Sequence, residues 1–403
     1  MKTFAHRLDR LCLALLLLAG SSYGAESLSL IPDSAEALGI AGGRFANLQD
    51  ATTARVAPAS MVDVEQASIQ LNAGLWRSDI GLESSAGVSM HHNDPWVYPA
   101  SLYAVFPTAS RDFAFGIGIT TPYGLGSQYS KSSPLRYFVP YESSLITHSI
   151  TPAIAFRVTD TVSVGLGLDF MYGDLRINQL FPLAPGIDGE LRFDAQGWGM
   201  SGYGSVLWKI TPRQRIALIG RLPLRLEMEG DYQILAGATA RTGFETDMTF
   251  PGSIALGYGI DFTDRFTLGF DFKWTANNSH DDIPIRTENL PAPQNSLPLN
   301  WKNSIDLGCG ATYKLNEAWC IRAGYLFSEN SMPDSTYTPS IPAYDRHIFS
   351  LGLGWQGKRN RIDATYGFIF NPDRTVTGAN NPAFNGTYRH QWHVLNLSFT
   401  HLF

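Results

Sequence analysis

The sequence predicts an all-β protein, a transmembrane antiparallel β-barrel of about fourteen strands with a small N-terminal plug, or hatch, in its lumen. Three observations predict it. From about residue 64 to the C-terminus, segments of roughly ten residues alternate apolar with small or polar side chains, the period of a strand with unlike faces. The connections between them alternate short and long. Charged residues make up only 16% of the chain, where a soluble domain carries about 25%.

The first 24 residues read as a secretory leader: Lys2, Arg7 and Arg10, the apolar run Leu11–Leu18, then Ser22 and Gly24 at the cut. That run is too short to cross a bilayer as a helix, which takes about 20 residues. Residues 25–62 do not alternate. Ser34 is placed to cap a short helix, and Leu38, Ile40, Phe45 and Val56 supply apolar groups that a disordered tail usually lacks. This stretch is expected to be the hatch, and residues 63–403 the barrel.

Within the barrel, Phe113, Phe115, Ile117 and Ile119 interleave with Ala114, Gly116, Gly118 and Thr120. Ile305, Leu307, Cys309 and Ala311 likewise face away from Asp306, Gly308, Gly310 and Thr312. Large apolar groups on one face and small or polar ones on the other suit lipid outside and a filled lumen inside. Trp208, Trp274, Trp319, Tyr325 and Trp355 fall near segment ends, as interfacial girdles do.

Short turns are expected at Thr108–Arg111, Thr159–Asp160, Thr211–Gln214, Thr263–Asp264, Asn316–Ala318 and Gly357–Asn360. Long loops are expected near 79–97, 124–142, 179–192, 230–245, 276–299, 330–342 and 372–387, all rich in turn formers. Short periplasmic turns and longer outer loops are the outer-membrane pattern. The last strand places Leu395, Leu397, Phe399 and the terminal Phe403 on one phase, interrupted by His401.

A net charge of −6 and no basic face exclude nucleic acid as a partner. Cys12 leaves with the leader, and Cys309 and Cys320 fall on opposite phases of neighbouring strands, so no disulfide is expected. The lumen phase carries Arg157, Arg322, Asp169, Asp261, Asp271 and Lys273. Arg157 or Arg322 would hold a ligand carboxylate by a paired hydrogen bond; the alternative is that these charges pair with one another and support the interior. His91-His92-Asn93-Asp94 and His280-Asp281-Asp282 lie in loops with nothing to orient them, so neither metal nor cofactor is expected. Trp96, Tyr98, Tyr129, Tyr137 and Phe138 form either a greasy landing site on the outer loops or simple loop packing. An enzyme is not expected. His148 and Ser149 point to opposite faces, and no Gly-x-Ser-x-Gly elbow occurs. A general porin for polar solutes would lack a plug and line its pore with charge, whereas this lumen phase is mostly Gly, Ala, Ser and Thr.

Several stretches resemble one family, the outer-membrane transporters of long-chain fatty acids and aromatic hydrocarbons (FadL/TodX type). They are Gly116-Ile-Gly-Ile-Thr-Thr-Pro-Tyr-Gly-Leu125, the pair Trp301–Tyr313 and Trp319–Tyr325, and Ser340-Ile-Pro-Ala-Tyr-Asp-Arg-His347. The resemblance implies a fourteen-strand barrel with a hatch in a Gram-negative outer membrane. It implies passive uptake of hydrophobic small molecules, released sideways through a kinked third strand. The counterpart of that kink is Thr121, Pro122, Tyr123 and Gly124, where Pro removes a ladder donor and Gly permits a bend; the alternative is that Pro122 merely starts the outer loop. The family's Asn-Pro-Ala hatch motif reads Ala57-Pro58-Ala59 here, without the Asn. Expected partners are the ligand, outer-membrane lipid and lipopolysaccharide, and the barrel-assembly machinery through Phe403, with the protein a monomer. The competing functions are a polar-solute porin and an outer-membrane lipid-modifying enzyme.

Overall fold

Alternating side chains become strands that each pair antiparallel with the next. The computed structural model describes residues 34–403 apart from 86, 94, 95, 280 and 281; the expected leader and Cys12 lie outside the described residues. The strands are β1 (Ser68–Ser84), β2 (Ala100–Pro107), β3 (Phe113–Thr120 and Gly124–Gln128), β4 (Glu142–Arg157), β5 (Val162–Ala184), β6 (Ile187–Thr211) and β7 (Gln214–Arg221 and Leu224–Ala236). They continue with β8 (Ala238–Phe250 and Ser253–Asp261), β9 (Phe266–Thr275), β10 (Ser304–Lys314), β11 (Trp319–Ser328), β12 (Arg346–Gln356), β13 (Asn360–Phe370) and β14 (Gly386–Leu402). β14 pairs back onto β1 from Ser68↔Leu402 to Ser84↔Gly386, closing a barrel of 14 strands.

The faces are inverted relative to a soluble protein. On β14, Leu395, Leu397 and Phe399 are exposed while Asn396, Ser398 and Thr400 are buried, because the outer face meets lipid. Trp208, Trp274 and Trp319 are exposed on that same outer face. All six expected short turns join strands where the sequence placed them. Cys309 and Cys320 are free thiols.

Two of the expected long loops are not loops. Residues 179–192 continue β5 and β6, of 23 and 25 residues, and turn at Gly186, whose φ is +78°. Residues 230–245 continue β7 and β8 and turn at Gly237, φ +79°. A membrane strand needs only about 9–11 residues, so both hairpins rise well beyond the lipid. Above the bilayer neither face meets lipid, so the contrast in side chains fades while backbone pairing persists.

Residues 34–64 lie inside the barrel. Ser34 caps α1 (Ala35–Gly39), its hydroxyl accepting the Ala37 N–H at 3.1 Å. α2 (Thr53–Val56) follows, then a 3-10 turn over Pro58–Asp63. The wall holds this plug by small side chains and by glycine. Ser398 accepts the Ala35 N–H at 2.8 Å, and Thr365 donates to Ala35 O at 2.6 Å. Asp271 accepts the N–H groups of Arg44 and Phe45 at 2.8 and 3.2 Å. At Gly310 the plug backbone lies so close that a Cβ would sit 2.0 Å from Ile40 O. The small lumen residues are therefore the seat of the plug. Above it, the outer half of the lumen is packed by an apolar cluster from the wall and loops, including Met171, Phe193, Phe250, Trp301, Tyr337 and Tyr388.

A candidate ligand path through the barrel wall

The plug is locked to the wall by buried charge. Arg322, 5% exposed, forms ion pairs with Asp363 at 2.8 Å and with Glu36 of α1 at 3.6 Å. Arg361 joins the same two carboxylates, reaching Asp363 at 2.8 Å. Two cations and two anions thus balance in one dry cluster. Burial pushes the Glu36 carboxyl above the ordinary carboxylate range, while the Arg361 and Arg322 guanidinium groups pull against it. Nearer the periplasmic turns, Arg157 bonds Asp63 at 2.9 Å and Val62 O at 3.2 Å, and Lys209 reaches Asp63 at 2.7 Å.

Arg157 and Arg322 are both engaged by plug and wall groups and hold the plug, the arrangement of the alternative reading in which the lumen charges pair and support the interior. Asp261 pairs with Arg215 at 2.7 Å, and Lys273 with Asp306 at 3.1 Å, in the same supporting manner. The Arg157–Asp63 pair keeps some contact with solvent and Lys209 still holds Asp63 when Arg157 is removed, so Arg157→Ala is expected to cost about 1 kcal/mol. Chemical unfolding in detergent checks this. A larger loss would mean the pair is better desolvated than its surroundings suggest.

The Ala57-Pro58-Ala59 stretch bridges α2 and the 3-10 turn, with Pro58 at its first position. Ser205 Oγ accepts the Ala59 N–H at 2.8 Å, and Ser163 Oγ donates to Ala59 O at 2.9 Å. The backbone lies flush on Gly165, where a Cβ would stand 2.4 Å from Ala59 N. Backbone groups make these contacts, which is how the stretch seats without the motif's Asn.

Thr121, Pro122 and Tyr123 separate the two halves of β3. Thr120 pairs with Ser149 and Gly124 with Ile146, so three residues of β3 oppose two of β4, a bulge. Thr147 Oγ1 staples it, accepting the Tyr123 N–H at 3.0 Å and donating to Tyr123 O at 2.7 Å. Pro122 is buried between the two halves and does not start a loop. Beyond the bulge β3 pairs with β4 alone, and its ladder with β2 ends at Leu102↔Ile119. The wall therefore parts between β2 and β3. A cavity of about 30 Å³ opens there, lined by Pro99, Ala100, Thr120 and Thr121, with Trp76 and Asn396 deeper inside. Trp76 Nε1 donates to Asn396 at 2.7 Å. Tyr123 leans into the lumen and stacks on Phe250 of β8, centroids 4.1 Å apart.

Among the loop aromatics, Tyr137 lines an outer groove of about 400 Å³ with Phe181, Tyr232, Ile234 and Pro293. Tyr129 is buried in the loops, donating to Pro339 O at 2.9 Å. Trp96, Tyr98 and Phe138 are exposed. Part of both His/Asp loop motifs lies outside the described residues. Glu36, Arg361 and Asp363 were missed from sequence, as was Phe250. The signal for Arg361 and Asp363 was their shared lumen phase just after a short turn. For Phe250 it was the Pro251-Gly252 that follows.

Comparison with known proteins places the chain. Residues 16–403 match the family described as outer membrane protein transport protein (OMPP1/FadL/TodX). Outer membrane protein P1 of Haemophilus influenzae is 23% identical, covering 99% of this chain and 100% of that protein. The Escherichia coli long-chain fatty acid transport protein is 21% identical over 64% of this chain and 67% of its own length. The crystal structure of a Pseudomonas aeruginosa FadL homologue superposes with a TM-score of 0.82 at 20% identity, covering 93% of this chain and 99% of that one. The Pseudomonas putida toluene transporter TodX gives 0.74 at 17% identity, covering 94% and 99%. These structures share the fold, and the family's proteins are transporters and not enzymes. With the barrel, the plug and a match across nearly its whole length, the chain belongs to the OMPP1/FadL/TodX family of outer-membrane transport proteins.

Proposed function

We propose that this protein takes up hydrophobic small molecules, long-chain fatty acids or hydrocarbons, by passive diffusion with sideways release at β3. The observation that carries the reading is the pairing of a seated plug with a parted wall. The plug and its ion cluster fill the straight way down. The discontinuity between β2 and β3 offers a way out through the wall beside the plug. A ligand lands in the groove beside Tyr137, partitions into the apolar upper lumen, and passes Tyr123 toward the gap. Apolar surface leaving water drives each step at about 25 cal/mol per Å², and no energy source is needed. The names of relatives support both ligand types, fatty acid for the Escherichia coli protein and toluene for TodX.

Uptake of labelled long-chain fatty acid and of toluene, in cells lacking their own transporter, tests this. A Pro122→Ala, Tyr123→Ala double variant at equal surface level is expected to lose uptake by at least about tenfold, equivalent to about 1.4 kcal/mol. If the unaltered protein takes up neither ligand and passes small polar solutes instead, it is a porin and the reading fails.

A further inference from the structure

The gap between β2 and β3 has a chemistry of its own. None of the residues lining its cavity is charged, and much of the lining is polar: Asn72 of β1, Ser101 of β2, Thr120 and Thr121 of β3, Asn396 of β14 and the Trp76 indole. Such a lining suits a hydrocarbon poorly. Every polar group that a ring or an alkyl chain covers is cut off from hydrogen-bond partners.

These polar groups are held in place. Gln70 Nε2 donates to Asn72 Oδ1 at 2.9 Å, and Asn72 Nδ2 donates to Ser101 Oγ at 3.0 Å. Gln70 is in turn tied to the plug, donating to Asp50 Oδ2 at 2.9 Å and accepting the Ala51 N–H at 3.0 Å. On the far side stands the Trp76–Asn396 pair. Gly74 leaves room for it, since a Cβ there would fall 2.6 Å from Trp76 Nε1 and 2.9 Å from Asn396 Oδ1.

One group in this frame is unpaired. Thr120 is 3% exposed and lines the cavity, yet its Oγ1 has no hydrogen-bond partner among the described residues. The same is true of Ser149 Oγ, directly opposite on β4 and fully buried. A buried hydroxyl without a partner is costly, and valine would serve the strand as well as threonine does. The cavity beside Thr120 holds about 30 Å³. That is room for about two waters, the size of a carboxyl or hydroxyl group and far too small for a ring or a chain.

We infer that the β3 gap contains a headgroup site, in which Thr120 Oγ1 bonds the carboxyl or hydroxyl end of an amphiphile while its chain stays in apolar surroundings. The inference rests on the uptake reading above and narrows it, because the exit then favours long-chain fatty acids and alcohols over hydrocarbons. The head of such a molecule must give up its partners to cross the wall, and Thr120 returns a hydrogen bond at that point. A hydrocarbon has no bond to make and gains nothing from Thr120. Tyr123 stands on the path ahead of the gap and acts on both classes alike, so Thr120 and not Tyr123 sets the preference.

Thr120→Val keeps a branched Cβ and removes only the hydroxyl. Uptake of a labelled long-chain fatty acid, of the fatty alcohol of equal length and of toluene is measured in cells lacking their own transporter, at equal surface level. Thr120→Val is expected to cut uptake of the acid and the alcohol by about fivefold, the worth of one hydrogen bond, and to leave toluene uptake unchanged. Thr120→Ser, which keeps the hydroxyl, is expected to retain uptake of all three. The unfolding midpoint of Thr120→Val in detergent is expected to equal or exceed that of the unaltered protein, because a buried unpaired hydroxyl is gone; damage to the wall would lower it. Uptake of acid and alcohol at the unaltered level in Thr120→Val, or a fall in toluene uptake as large as theirs, overturns the headgroup site and leaves the uptake reading standing. No uptake of any of the three by the unaltered protein overturns both.

Discussion

Arg322→Ala is expected to unseat the plug and to be the most damaging single charge change in the lumen. The cluster balances Arg322 and Arg361 against Glu36 and Asp363. Removing one cation leaves two buried carboxylates facing one guanidinium, and Asp363 is only 1% exposed. Breaking a buried pair from one side typically costs about 3–5 kcal/mol, because the remaining charge stays dry. The expected result is a lower unfolding midpoint in detergent and new ion conductance in planar bilayers. Glu36→Gln added to Arg322→Ala is expected to recover part of the loss, since it removes the surplus charge. Wild-type stability and a silent bilayer for Arg322→Ala would show that the plug is held elsewhere.

Gly310→Val is the second large effect. Its Cβ would fall 2.0 Å from Ile40 O, with further plug backbone inside 3 Å. No flexible side-chain end is there to move aside, so either β10 or the plug must shift. Overpacking of this kind costs about 3 kcal/mol, at the upper end of its usual range. Leakage of a large hydrophilic antibiotic into whole cells is the expected readout. Gly220→Val is the matched control, because nothing stands within 4 Å of a Cβ at Gly220. Equal leakage from both variants would point to general barrel damage and count against the seated plug.

What could be read in the sequence follows from where lipid acts on it. Inside the bilayer each face has one environment, so the alternation on β9, β10 and β14 and the six short turns were legible. Beyond the bilayer that constraint ends, and the upper parts of β5–β6 and β7–β8 looked like loops. Pro122 stands out because it sits in a stretch that resembles a known family. Pro223 and Pro251, which interrupt β7 and β8, carry the same physical signal, a missing donor inside a strand, with no such resemblance to mark them. The lumen phase of Arg322 was legible. Its partners were not, because Glu36 comes from a plug whose position depends on contacts with distant strands, and no local period reports such a contact.

Closure of β1 on β14 also dictates when the molecule can form. The first strand finds one of its two neighbours only in the last, and the first helix of the plug is held by Ser398 and Thr365 near the far end of the chain. Contacts of such long sequence separation form slowly, and until they do, β1 presents an unpaired edge open to other chains. The first part of the chain to be made is therefore among the last to be fixed, so a chain ending before β14 would leave both the barrel unsealed and α1 without its holders.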